Sequence, residues 1–288
     1  MSSSAAAAFA APSGRVAAIT GANKGVGFFI ALHLATSGLF SSVLLGCRDS
    51  SRGQQAVADI QVQGKGKIAP TIEIKYLPLT VGDAASHDQF RKTVEEQYGK
   101  LDCLVNNAGF AFKGADPTPF AQQCKPTVDI NFRGTVDLTE TLLPLLRNGT
   151  DARIVNVASM SGHLSQLRSA GLRNQFISQT LTMDRLREMV DEFETDVLAG
   201  KHSKKGWGNS NYGLSKMALI AATKVMAREE AINGIKVNCC CPGYCDTDMT
   251  SHKGPRPPKE GALNAVLPAT MENCPSGEFF SNMKVSEW

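Results

Sequence analysis

Tyr212 and Lys216 are the residues whose types and spacing most directly suggest chemistry. They lie four positions apart in the run Tyr212-Gly-Leu-Ser-Lys216, and residues with that spacing share one face of a helix. An ammonium group beside a phenol stabilises the phenolate, so the pair could act as an acid that transfers a proton. A half-buried tyrosine and a solvated lysine also occur together without chemistry, and the segments around the pair therefore decide its interpretation.

A glycine-rich turn near the start of the chain supplies that context. The run Thr20-Gly-Ala-Asn-Lys-Gly-Val-Gly27 follows an apolar segment and precedes a helical pattern. Glycines at such a junction let the backbone turn beneath a pyrophosphate, and the helix N-terminus offers unpaired N–H groups and a positive dipole. The turn predicts a dinucleotide site, with an ordinary strand-to-helix connection as the alternative.

Short apolar runs alternate with longer amphipathic segments along the chain, a pattern typical of βαβ units and a parallel sheet. We predict a single α/β domain of Rossmann type, doubly wound, with a seven-stranded parallel sheet. The predicted strands are residues 16–20, 42–47, 71–77, 103–106, 153–158, 235–240 and 278–280. The predicted helices are residues 27–37, 52–61, 86–98, 122–146 and 212–231.

Residues 162–208 interrupt this alternation and are predicted to form a helical insertion before Tyr212. Within the insertion, apolar side chains recur at helical spacing, at Met183, Leu186, Val190, Phe193 and Val197. A helix with one apolar stripe needs a surface to cover. The domain is predicted to span residues 15–288, with residues 1–14 as a flexible N-terminal tail.

Composition limits the partners. The net charge is +3 with 20% charged residues, which gives neither a basic stripe for nucleic acid nor a polybasic membrane anchor. No apolar run approaches the roughly 20 residues that span a bilayer, and the N-terminus lacks a secretory signal, so a cytoplasmic location is predicted. The eight cysteines are expected to be reduced core thiols, and no metal site is predicted. Small molecules are the expected partners.

The order and spacing of these motifs resemble the short-chain dehydrogenase/reductase family. The glycine spacing is Gly-xxx-Gly-x-Gly, and further matches are the run Asn106-Asn-Ala-Gly109, Asn131, Ser159 with Tyr212 and Lys216, and Pro242-Gly243 followed by Thr247. Segments 48–54, 111–120, 205–208, 240–243 and 285–288 resemble the monomeric NADPH-dependent carbonyl reductases more narrowly. Thr80, Ser161 and Tyr244 depart from that group, where an Asp, a Met and a Trp are usual.

The resemblance implies four catalytic residues: Asn131, Ser159, Tyr212 and Lys216. A carbonyl that accepts hydride develops negative charge on oxygen, so an acid must deliver a proton there. Tyr212 suits that role, and Lys216 together with the positively charged oxidised nicotinamide would lower its pKa from about 10. Ser159 could orient the same oxygen. The resemblance also implies that Asn131 holds a water for proton relay to Lys216.

The predicted cofactor is NADPH. Enzymes that use NAD place a carboxylate at the tip of the second strand, whereas here the strand ends Leu45-Gly-Cys-Arg48 without an acid, and Lys24 lies in the glycine turn. Asp49 could instead occupy Arg48 in a salt bridge. The cofactor-binding residues implied by the resemblance are Gly21, Asn23, Lys24, Gly25, Val26, Gly27, Arg48, Arg52, Thr80, Val81, Asn107, Ala108, Gly109, Tyr212, Lys216, Pro242, Gly243 and Thr247.

The substrate-binding residues implied by the resemblance are Ser159, Tyr244, Cys241, Lys113 and Gln123, with glutathione conjugates as possible ligands. The predicted activity is reduction of aldehydes, ketones or quinones by a monomer. One alternative is a dedicated ketone reductase of secondary or prostaglandin-like metabolism. Another is an NADPH-sensing binding protein with little turnover, against which the complete set of four catalytic residue types argues.

Overall fold

A computed structural model describes residues 14–288. The predicted flexible tail lies outside the described residues except for Gly14. The described chain forms one eight-stranded sheet in the order β3-β2-β1-β4-β5-β6-β7-β8. The strands are β1 Val16–Thr20, β2 Ser42–Cys47, β3 Glu73–Pro78, β4 Cys103–Asn106, β5 Arg153–Val157, β6 Lys236–Cys241, β7 Phe279–Ser281 and β8 Lys284–Val285.

The predicted doubly wound Rossmann-type sheet is confirmed, but the strand count was one too low. Strands β1 to β7 pair in parallel, and β8 pairs antiparallel with β7. The eighth strand has two residues, both exposed. It therefore lacks the apolar run or alternation by which a strand is recognised in sequence.

Nine α-helices occur within residues 14–288, packed on both faces of the sheet. They are α1 Gly25–Thr36, α2 Ser50–Gln63, α3 Ala84–Tyr98, α4 Phe120–Val128, α5 Gly134–Arg147, α6 Ala170–Phe176, α7 Met183–Leu198, α8 Asn211–Glu229 and α9 Pro258–Thr270. The predicted single helix 122–146 was wrong in one respect: a π-helical turn, Asp129–Arg133, separates α4 from α5. Such turns are frequent at functional sites.

The insertion contains the predicted amphipathic helix, α7. Its apolar stripe, including Leu186 and Phe193, is buried in the same core as residues of α4 and α8. The buried Asp196 carboxylate accepts hydrogen bonds from Lys205 Nζ (2.6 Å) and Trp207 Nε1 (2.9 Å), which fasten the end of the helix to the following loop. None of the helices within residues 14–288 combines the length and the apolar character needed to cross a bilayer.

The strand order places the predicted site residues at one edge of the sheet. The order reverses between β1 and β4, and in parallel α/β sheets the crevice beyond the carboxyl ends of the strands at such a point is where ligands bind. The glycine turn follows β1, Ser159 follows β5 and Pro242 follows β6. Buried Asn106 and Asn156 tie β4 to β5 through a 2.8 Å side-chain hydrogen bond behind this edge.

Candidate active site

Helix α8 carries both Tyr212 and Lys216. The helix begins at Asn211, and the Ser210 hydroxyl caps it by accepting a 2.9 Å hydrogen bond from the Gly213 N–H. This start puts the two side chains on one face, with Lys216 Nζ 5.8 Å from the centroid of the Tyr212 ring. The spacing in sequence therefore brings the ammonium and the phenol together as predicted.

A backbone carbonyl of the sheet holds the Lys216 ammonium in place. The lysine side chain is buried, and Nζ donates a 2.8 Å hydrogen bond to the carbonyl oxygen of Val157, the last residue of β5. Burial lowers the pKa of Lys216 to about 8, because removal from water disfavours the charged form. The ammonium is thus placed by a backbone atom two residues before Ser159.

Ser159 and Tyr212 are neighbours across the site. A lowered pKa was predicted for Tyr212, whereas burial raises it to about 12, and a hydrogen bond with the Ser159 side chain opposes that rise. The Ser159 hydroxyl also accepts a 3.1 Å hydrogen bond from the Ser161 N–H. The tight turn after β5 therefore orients the serine toward the phenol.

Asn131 lies in the π-helical turn and is fully buried. Its Oδ1 accepts from the Phe110 N–H (2.7 Å), while Nδ2 donates to the Phe110 carbonyl (2.8 Å) and to the Ser215 hydroxyl (3.0 Å). Because both amide hydrogens are used, a relay water could be held only by the remaining lone pair of Oδ1 or by the backbone carbonyl. The side chain fixes the segment after β4 against α8.

The glycine turn forms a cradle that only glycine can form. Gly21 and Gly25 have φ angles of 64° and 57°, in the left-handed region that glycine adopts without strain. A Cβ on Gly27 would lie 2.4 Å from Asn107 Nδ2 and 2.5 Å from the Gly21 carbonyl oxygen. Helix α1 has no side-chain cap and no acidic residue in its first turn, which leaves its N-terminal N–H groups for an anion. The turn fits the pyrophosphate of a dinucleotide.

Asn107, the residue after β4, stabilises the cradle. Its Nδ2 donates to the carbonyl oxygens of Thr20 (2.9 Å) and Gly21 (3.2 Å). Thr20 Oγ1 in turn accepts from the N–H groups of Asn107 (3.0 Å) and Ala108 (2.8 Å). These bonds join the two strand ends at the point where the strand order reverses. Thr20 was not predicted as a site residue, because a threonine at a strand end carries no distinctive signal.

The charged residues predicted to read a 2′-phosphate are exposed. Arg48 follows β2. Asp49 caps α2 by accepting from the Arg52 N–H (2.9 Å), and its carboxylate lies 3.5 Å from Arg52 Nε. Lys24 forms an ion pair with Asp248. Asp248 was missed in the sequence because only the fold brings it to the glycine turn.

The remaining predicted cofactor residues line the same edge. Val81 is partly buried against the core, and the Thr80 N–H donates to Ser86 Oγ at 2.8 Å. Gly243 has a φ angle of 84°, and a Cβ on Gly25 would meet Thr247 Cγ2 at 3.3 Å. Positions along this edge, at the ends of β1, β3, β4 and β6, are occupied by Asn23, Val26, Thr80, Val81, Ala108, Gly109, Pro242, Gly243 and Thr247.

The predicted substrate residues differ in accessibility. Tyr244 is 55% exposed in the loop after β6, whereas Cys241 is buried and its sulfur accepts from the Gly243 N–H at 3.3 Å. Lys113 is exposed, while Gln123 donates its side-chain amide to the Thr118 carbonyl at 2.7 Å. Gln123 therefore has a structural partner already.

Comparisons with known proteins agree with this geometry. A family model described as short chain dehydrogenase matches residues 15–170 and 195–257. Carbonyl reductase [NADPH] 1 of Homo sapiens is 40% identical over 283 residues, which cover 95% of this chain and 98% of the human protein.

Two solved structures are similar over nearly their whole length. Salutaridine reductase from Papaver somniferum has a TM-score of 0.82 at 28% identity, covering 92% of this chain and 99% of its own. Menthone neomenthol reductase from Mentha piperita has a TM-score of 0.78 at 28% identity, covering 93% and 98%. The stretch that the family model leaves unmatched, between residues 170 and 195, lies within the helical insertion.

Proposed function

This chain belongs to the short-chain dehydrogenase family, and from that membership we propose that it reduces carbonyl compounds with NADPH, using Tyr212 as the proton donor. The observation that carries the proposal is the arrangement of Tyr212, Ser159 and Lys216 at the sheet edge that also holds the glycine cradle. An acid, an oxyanion donor and a dinucleotide site are thereby brought to one crevice.

When bound, NADPH would supply a hydride to the carbonyl carbon of the substrate. The carbonyl oxygen of the substrate then gains negative charge, and the Tyr212 hydroxyl donates a proton to it. The Ser159 hydroxyl donates a hydrogen bond to the same oxygen and places it within reach of the phenol. The buried Lys216 ammonium stabilises the tyrosinate that the transfer leaves.

Asn131 is a positioning residue in this proposal. Its three side-chain hydrogen bonds tie the Phe110 backbone to Ser215, one residue before Lys216 in α8. A water on its backbone carbonyl would connect Lys216 to solvent and resupply the proton. Tyr212 would recover its hydroxyl between turnovers through the ammonium.

Charge supports NADPH as the cofactor. The tip of β2 bears Arg48 rather than a carboxylate, and Lys24 lies at the start of α1. Arg48 has no carboxylate within salt-bridge distance in the described residues, and Asp49 is directed to Arg52 instead. These two cations would suit a ribose phosphate, and human carbonyl reductase [NADPH] 1 is a relative whose name states this cofactor.

The proposed substrates are aldehydes, ketones or quinones. The name of human carbonyl reductase [NADPH] 1 states carbonyl compounds without a single substrate, whereas the likeness to salutaridine and menthone neomenthol reductases favours a second candidate, a dedicated ketone reductase of secondary metabolism. Exposed Tyr244 and buried Cys241 would border the substrate. Glutathione conjugates stay a prediction, for which exposed Lys113 would offer a cation.

A substrate panel tests the proposal. Purified protein is supplied with NADPH or NADH and a set of aldehydes, ketones and quinones, and loss of the reduced nicotinamide absorbance is followed. Turnover of several unrelated carbonyls with NADPH supports the broad reductase, and turnover of one ketone alone supports the dedicated enzyme. NADPH binding without turnover of any carbonyl would contradict both.

A further inference from the structure

Trp288 contacts the turn that follows Ser159. Its indole N–H donates a 2.8 Å hydrogen bond to the carbonyl oxygen of Gly162. Residue 162 ends the 3₁₀ turn Met160–Gly162, which Ser159 caps. The Trp288 side chain therefore reaches the edge of the sheet where the proposed catalytic groups lie.

Two hydrogen bonds within the turn fix the position of Ser159. The Gly162 N–H donates to the Ser159 carbonyl at 2.8 Å, and the Ser161 N–H donates to the Ser159 hydroxyl at 3.1 Å. A Cβ on Gly162 would lie 2.8 Å from the carbonyl carbon of Lys216 and the nitrogen of Met217. The turn is thus pressed onto α8 beside the catalytic lysine, and a shift of Gly162 would move the serine hydroxyl.

Trp288 is anchored on its other side. Its ring packs against the cluster that contains Ala158, Cys241 and Phe279. Lys224 Nζ lies 5.9 Å from the ring centroid and also donates to the Gly277 carbonyl at 3.0 Å. The Ser286 N–H donates to the Phe279 carbonyl at 2.8 Å, which holds the segment before Trp288 beside β7.

We propose that Trp288 is a positioning residue for the reaction, which fixes the Ser159 turn against α8 through its hydrogen bond to Gly162. Packing alone would be satisfied by an apolar side chain, but only an N–H donor in this place restrains the Gly162 carbonyl. Because β7 and Lys224 hold the ring, its hydrogen bond to Gly162 ties the turn to the sheet. The proposal rests on the proposed role of Ser159.

A double-mutant cycle tests this role. Trp288→Phe keeps a ring and removes the donor, so kcat is expected to fall roughly three- to tenfold, the size expected for one neutral hydrogen bond. KM for NADPH should change little. In a Ser159→Ala background the same change should have almost no further effect, because the residue it positions is gone. Glu287→Gln, which changes the exposed residue before Trp288, is the matched control and should leave kcat unchanged.

The outcomes separate the two proposals. If Ser159→Ala keeps full turnover, the proposed role of Ser159 fails. If Ser159→Ala loses turnover while Trp288→Phe matches wild type, the positioning role alone is overturned. A Trp288→Phe effect of equal size in both backgrounds overturns it too, since it would show a general structural effect. Urea unfolding of Trp288→Phe is expected to stay cooperative, which would show that the kinetics of a folded variant are compared with those of wild type.

Discussion

Lys24 in the glycine turn and Asp248 in the loop after β6 form an ion pair across the entrance to the cofactor cradle. Both side chains are about half exposed, and Asp248 also accepts a 3.0 Å hydrogen bond from His252. The Asp248 carboxylate therefore already pairs with Lys24, the cation that is proposed to bind the 2′-phosphate. A phosphate and Asp248 would compete for Lys24, or share it.

Removal of that carboxylate should favour NADPH. Asp248→Asn keeps the shape of the side chain and frees the Lys24 ammonium, so KM for NADPH is expected to fall severalfold while KM for NADH stays nearly unchanged. Steady-state kinetics at low and high salt check this, because a charge effect weakens with ionic strength. An equal change for both cofactors would show that Asp248 acts on the loop and not on the phosphate.

Loss of the cations should have the opposite effect. Each charge-assisted contact to the phosphate contributes roughly 1.5–3 kcal/mol, so Lys24→Ala with Arg48→Ala should raise KM for NADPH strongly and leave NADH nearly unaffected. Arg91→Ala, in α3 and paired with Glu95, is a matched control for lost charge. If NADPH and NADH weaken alike, these residues do not read the phosphate.

The Gly27→Ala substitution tests how closely the glycine cradle is packed. A Cβ there would meet Asn107 Nδ2 at 2.4 Å and the Gly21 carbonyl oxygen at 2.5 Å, and overpacking of this kind costs about 1–3 kcal/mol. Gly27→Ala should lower the free energy of unfolding by that amount and weaken binding of both cofactors. Gly114→Ala is the control for steric crowding, because a Cβ at residue 114 meets nothing within 4 Å and its φ angle is not positive. Unchanged cofactor titrations for Gly27→Ala would refute the close fit.

The buried Lys216 ammonium predicts a dependence of stability on pH. Its pKa is lowered from 10.5 to about 8 by burial, so between these values the unfolded chain binds more protons than the folded protein. The contribution of Lys216 to the free energy of unfolding therefore rises with pH in this window and is least favourable below pH 8. The free energy of unfolding of Lys216→Met, relative to that of wild type, should therefore be highest below pH 8. Urea unfolding of both proteins at a series of pH values would measure this difference. A difference that is constant with pH would contradict the shift.

The insertion helix predicts a monomer. Its stripe is buried within the same chain, with Leu186 and Phe193 fully covered, so this surface is unavailable for association. Light scattering should give about 31 kDa at micromolar concentration. Leu186→Glu should expose an apolar patch and drive association, whereas Thr195→Glu on the exposed face should not. A stable dimer of the wild-type protein would contradict the prediction.

Local sequence patterns predicted the central part of the fold. The bounds of β1, β2 and β4 matched the predicted strands, because buried parallel strands are continuous apolar runs between turn residues. β8 and the π-helical turn at Asp129–Arg133 were not predicted. The first is too short and exposed for a pattern, and the second keeps the apolar periodicity of a helix.

The candidate site was predictable where side-chain types carry the chemistry. Tyr212, Ser159 and Lys216 are brought together as their types and spacing indicate. Their supports were not predictable, since Val157 acts on Lys216 through a backbone carbonyl, which any residue has. Asp248 and Trp288 reach the site only through the fold.

The role of Tyr212 is the central claim, and Tyr212→Phe tests it most directly because the change removes a single hydroxyl. Loss of a general acid should reduce kcat/KM by about 10²–10⁴-fold, while the remaining ring leaves the affinity for NADPH close to that of wild type. Tyr98→Phe, which removes a hydroxyl that bonds Glu73 far from the site, is the matched control and should keep its turnover. A Tyr212→Phe enzyme whose carbonyl reduction with NADPH stays within about tenfold of wild type would contradict the account.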